Sequence, residues 1–84
     1  MKIYSIILDW AYDDECDNIN TSLEYAKGIA SNCVFEVVTE KGPSGWPEVK
    51  VYTEVLPALI DYLKIYNGDN NIDFLMDKIE TVEI

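Results

Sequence analysis

Cys33-Val34-Phe35-Glu36-Val37-Val38-Thr39-Glu40 alternates with the two-residue period of a strand, and Glu48-Val49-Lys50-Val51-Tyr52-Thr53 repeats the pattern. Between them lies Gly42-Pro43-Ser44-Gly45-Trp46-Pro47, a run dense in turn formers. Phe35, Val37 and Thr39 fall on one face, and Val34, Glu36, Val38 and Glu40 on the other. In the second run Val49 and Val51 point inward, while Glu48, Lys50 and Tyr52 point outward. The two runs predict a β-hairpin with a tip of about four to six residues.

Upstream, Lys2 to Trp10 reads as a further strand. Tyr4, Ile6, Leu8 and Trp10 share one face, and Ile3, Ser5, Ile7 and Asp9 the other. Both faces are fairly apolar, as expected of a central strand. Ala11 to Asn20 is a polar, acidic connection. Thr21-Ser22-Leu23-Glu24 matches a capping box that would open a helix, and Leu23, Ala26, Ile29 and Ala30 follow at helical spacing. Gly28 weakens that helix by up to ~1 kcal/mol relative to alanine, and a close approach to the sheet would explain it. Downstream, Glu54 to Asn67 predicts a second helix with Pro57 in its first turn. Its buried stripe is Leu56, Leu59, Ile60, Leu63 and Tyr66, and Asn67-Gly68 supplies the stop. Ile72, Leu75, Met76 and Ile79 fit a short helix capped by Asp69 or Asn70, and Thr81 to Ile84 could add a brief strand.

The order is strand, helix, strand, strand, helix, then a short helix or strand, within one domain over residues 1–84. A right-handed crossover places the first strand beside the third, with both helices on one face. This α+β order is similar to the ferredoxin-like βαββα(β) fold, which implies an antiparallel-rich sheet; the fold hosts too many roles to imply one.

Charge narrows the function classes. Sixteen carboxylates face six lysines for a net charge of −10, and the chain has neither arginine nor histidine. Nucleic-acid binding and anionic membrane surfaces are disfavoured, because phosphate contacts rest on lysine and arginine. A cationic or basic protein partner is favoured, with solubility alone as the plain alternative. No apolar run approaches the roughly 20 residues of a membrane span, and Met1-Lys2-Ile3-Tyr4 lacks a signal-peptide layout, so a cytoplasmic location is expected. Cys16 and Cys33 flank the first helix. Ten or more helical residues span at least ~15 Å, beyond the ~7 Å that disulfide Cα atoms tolerate, so free thiols are expected. No metal site or cofactor is predicted.

Asp9, Asp13, Asp14, Glu15 and Asp17 place five carboxylates in nine positions. Counted from Asp13, the acids fit the early calcium-loop positions and Glu24 the last, yet Asn18 stands where glycine is needed and the loop follows a strand. Two other readings stay open. One is a partner-binding patch, since crowded like charges cost a few tenths of a kcal/mol per pair. The other is a solvated loop feeding a helix N-terminus. Trp10, Tyr12 and Trp46 are candidate anchors, with core packing as the alternative for Trp10 and self-packing on the hairpin for Trp46. On the sheet's open side, Glu36, Glu40 and Tyr52 are displayed beside Glu48 and Lys50. Strand positions two apart are ~6.8 Å apart, near twice the ~3.4 Å phosphate advance, which makes DNA mimicry conceivable. Catalysis is not expected. There is no histidine base, no imidazole beside either cysteine, no arginine clamp, and no glycine loop opening a helix.

In its shortness, acidity and lack of cofactor motifs the chain resembles phage-encoded anti-defence proteins, including the anti-CRISPR class, without sharing a motif. That resemblance of type implies a stoichiometric inhibitor on a basic, nucleic-acid-binding surface of a host protein or nucleoprotein complex, acting in the host cytoplasm. The alternatives are an immunity protein or antitoxin that blocks a basic nuclease, a small calcium- or ligand-binding domain, and a structural subunit. A homodimer is left open.

Overall fold

The structure is a computed structural model that describes residues 1–10, 19–43 and 45–84. Its elements are β1 (Lys2–Asp9), α1 (Ile19–Ile29), β2 (Val34–Thr39), β3 (Glu48–Thr53), α2 (Leu56–Asn67), α3 (Asp73–Met76) and β4 (Glu80–Glu83). The strands form one antiparallel sheet in the order β2-β3-β1-β4, so β1 is an interior strand beside β3. The chain is a small α+β domain.

Register fixes which side chains share a face. Ile6 stands opposite Val51 and Val51 opposite Phe35; one step along, Leu8, Val49 and Val37 form the next row. These rows carry the core, together with Leu23 and Ala26 of α1, Leu59, Tyr62 and Leu63 of α2, and Ile72 and Leu75 around α3. Val49, Val51, Leu59 and Leu63 are wholly or almost wholly sealed from solvent. Burying such side chains is worth roughly 1.5–3 kcal/mol each. On the opposite face Ile7, Val34 and Glu36 are exposed, Lys50 and Tyr52 are half-buried, and Ser5 is buried.

Thr53 joins three segments. Its hydroxyl donates to the Asn32 carbonyl (2.7 Å) and accepts from the Val55 N–H (3.1 Å), tying the entry to β2 to the start of α2. Pro57 sits at the start of α2, where its missing N–H has no helical partner to lose. Gly68 ends the helix in the left-handed region (φ 72), and its N–H donates to the Ile65 and Lys64 carbonyls.

Several expectations need correction. Helix α1 begins at Ile19 rather than Thr21, because Ile19 packs against the core and extends the apolar series one turn earlier. Thr21 therefore lies within the helix and is not its cap. The connection between β2 and β3 spans residues 40–47, longer than the expected tip, since β2 stops at Thr39 after a register shift between Val37 and Thr39. The stripe of α2 includes Tyr62, which is 5% exposed, whereas Tyr66 is 38% exposed. Gly28 does not allow a close approach to the sheet: it is exposed, with nothing within 4 Å of where a Cβ would stand. No side chain caps α3; the Asp69 carboxylate instead accepts from the Asn71 N–H at 3.1 Å.

Candidate interaction surface

The open face of the sheet mixes acidic, apolar and cationic positions. Glu36 faces Lys50, and the Lys50 ammonium lies 5.8 Å from the centroid of the Tyr52 ring, a cation–π distance. Val34 and Val38 flank Glu36 on β2, and Lys50 separates Glu48 from Tyr52 on β3. Neither strand thus carries carboxylates at successive outward positions. At the far end of the sheet, Asp9 stands directly opposite Glu48. Like charges in that position repel, and the nearest cation in the register is Lys50, diagonal to Asp9 and opposite Ile7. Glu40 is exposed just beyond β2.

Of the anticipated contact residues, Asp9, Glu36, Glu40 and Tyr52 thus belong to the sheet's open side or its rim. Tyr12, Asp13, Asp14, Glu15 and Asp17, together with Cys16 and the calcium-like spacing, lie outside the described residues. Trp46 is 43% exposed at the hairpin tip. There the Gly42 N–H donates to the Trp46 carbonyl (2.7 Å), and the Gly45 N–H donates to Gly42 (3.0 Å) with Gly45 at φ 89. Cys33 is a free, buried thiol, and burial raises its pKa above the ordinary 9.0, which keeps it protonated and unreactive near neutral pH.

Trp10 is a core residue at 4% exposure. Its indole N–H donates to the Ser22 hydroxyl at 2.9 Å, and its backbone N–H donates to the Pro47 carbonyl at 2.8 Å, anchoring β1 to α1 and to the hairpin. The ring lies near-parallel to Tyr62 (6.4 Å, 13°) and to Tyr66 (6.3 Å, 27°), while Phe35 meets Trp10 edge-on at 5.9 Å. The Tyr66 hydroxyl donates to the Asp9 carbonyl at 2.7 Å. Burial raises the Tyr66 pKa, and the Asp9 charge raises it further. Burial is also the main cause that pushes Tyr62 up, ahead of the charges of Tyr66 and Cys33. Both phenols are therefore neutral at physiological pH.

The sequence does not announce the space between the two long helices. Helices α1 and α2 each pack on the sheet, and a groove lined by both runs between them. A hollow of about 180 Å³ lies over Trp10, walled by Tyr25 and Ile29 from α1 and by Tyr62, Ile65 and Tyr66 from α2. It continues past Ile29, Tyr62 and Ile65 into a second hollow of about 170 Å³ lined by Asn32 and Asp61. Tyr25 is 73% and Ile65 55% exposed. The available signal was periodicity: Tyr25 and Ile29, and Ile65 and Tyr66, sit beside the buried stripes, which broadens the apolar arc of each helix beyond what the sheet covers.

No protein-family model, curated protein or solved structure matches the chain. Among the described residues, no helix is long and apolar enough to cross a membrane, and no three acidic or thiol groups are gathered as a metal site.

Proposed function

We propose that the chain is a small acidic binding protein that occupies a basic, nucleic-acid-binding surface on a partner and so inhibits it. The observation that carries this reading is the retention of Asp9 directly opposite Glu48 on the open side of the sheet. An opposed pair of like charges costs a fraction of a kcal/mol that a neutral or cationic residue would recover. The imbalance is also not confined to one stretch. Setting aside Asp13, Asp14, Glu15 and Asp17, twelve of the sixteen carboxylates remain against the six lysines. A field of that sign steers a cationic protein toward the surface and repels free nucleic acid.

We further infer a ferredoxin-like arrangement. The order β2-β3-β1-β4 with antiparallel pairing, and the alternation of strands with α1 and α2, support it; α3 would be an addition before the last strand.

Displacement of DNA tests the function. A basic DNA-binding protein is held on labelled duplex at about 10 mM ionic strength, where charges act over ~30 Å. Added in stoichiometric amounts, the chain is expected to release the duplex. Retention of the duplex at large excess, across several basic proteins, would refute the proposal.

A further inference from the structure

We infer that the groove between α1 and α2 receives an arginine side chain of the basic partner, its guanidinium lying against the exposed Tyr25 and Tyr66 rings above Trp10. The inference rests on the function proposed above and adds to it a place and a side chain. Three observations carry it. The first is size. The hollow over Trp10 measures about 180 Å³. Small-molecule sites usually occupy ~300–1,000 Å³, so this one suits a single side chain better than a cofactor.

The second is chemistry. The walls are aromatic and aliphatic, and neither hollow is lined by a lysine, while Asp61 lines the continuation. Aromatic faces attract cations, and the planar guanidinium both stacks on them and is more weakly hydrated than an ammonium. An arginine inserted there would therefore meet the exposed Tyr25 and Tyr66 rings within a strongly acidic molecule. The third concerns the source of the occupant. The chain contains no arginine, and a second copy would bring another net −10. The guanidinium must come from a different molecule.

Fluorescence offers a direct test, because the chain has two tryptophans and Trp46→Phe leaves Trp10 as the sole reporter. The Trp46→Phe protein is titrated with hexa-arginine and with hexa-lysine at about 10 mM ionic strength, and total binding is followed in parallel by calorimetry. Hexa-arginine is expected to change Trp10 emission saturably and to bind more tightly than hexa-lysine. Tyr25→Leu, which alters no charge, should weaken hexa-arginine roughly tenfold. Ile65→Lys should weaken it more than Phe74→Lys, which adds the same charge on α3. All three positions are more than half exposed, so the fold should tolerate each change.

Calorimetric binding with silent Trp10 emission, or with Tyr25→Leu and Ile65→Lys no weaker than their controls, would overturn the groove and leave the acidic-surface reading standing. Equal affinity for hexa-lysine would overturn the choice of arginine. Absence of binding by either peptide would overturn both proposals.

Discussion

Replacing Thr53 with valine probes the junction on which the β3–α2 connection depends. The side chain is 4% exposed, and valine fills nearly the same space, so packing changes little. What is lost is the hydroxyl's donation to the Asn32 carbonyl at 2.7 Å and its acceptance from the Val55 N–H at 3.1 Å. A hydrogen bond contributes a net ~0.5–1.5 kcal/mol, so two are worth ~1–3 kcal/mol. Asn32 and Val55 are exposed residues, and water can reach the groups left behind, which favours the lower half, about 1–2 kcal/mol. For a chain of 84 residues, total stability is on the order of 4–13 kcal/mol, so the loss is substantial. With a urea dependence near ~1 kcal/mol per molar, the midpoint should fall by about 1–2 M at unchanged slope. Hydrogen exchange at the Val55 amide should accelerate as well, a change that loss of packing alone would not single out. A midpoint within about 0.5 M of the parent, with Val55 exchange unaltered, would refute the role given to this hydroxyl.

Further substitutions test other links. Gly28→Ala should stabilise the protein by about 0.5–1 kcal/mol in the same urea assay, since the position is helical and open to solvent. Gly68→Ala should destabilise it by about 1 kcal/mol, because Gly68 adopts φ 72 at the end of α2; a melting curve unmoved by the change would count against that cap. Asp9→Asn should stabilise the fold by a few tenths of a kcal/mol while weakening a basic partner, so equal or tighter partner binding would contradict the role of the Asp9–Glu48 pair. Raised folded pKa values for Cys33, Tyr62 and Tyr66 mean that the unfolded chain loses these protons first. Their contribution is complete below the ordinary values of 9.0 and 10.0 and declines as pH rises beyond them, and Tyr62→Phe should blunt the decline seen in urea midpoints.

Much of the fold was legible because burial on one face imposes a two-residue period. Phe35, Val49 and Val51 announced the hairpin, and they are core residues. Gly68 announced the end of α2 through the one backbone conformation that glycine adopts at little cost. Helix α1 was harder to bound: Thr21 and Glu24 have capping chemistry, yet Ile19 gains burial, and burial moved the start upstream. The contact between Trp10 and Ser22, and the stacking of Trp10 with Tyr62 and Tyr66, join residues far apart in sequence, and only the tertiary arrangement brings them together. The groove was invisible for the same reason, since it is a space between two helices that each looked complete. Of the candidate contact residues, strand alternation correctly sorted Glu36 and Tyr52 to the open side. It could not foretell that Lys50 would stand opposite Glu36.

The most direct measurement is the affinity of the intact chain for a basic DNA-binding protein as salt is raised from about 10 mM to 150 mM, over which the screening length shrinks from ~30 Å to ~8 Å. Attraction between an anionic surface and a cationic partner predicts tight association in dilute buffer and a steep loss of affinity toward the upper end. No association at the lowest salt, or an affinity that stays level throughout, would contradict it.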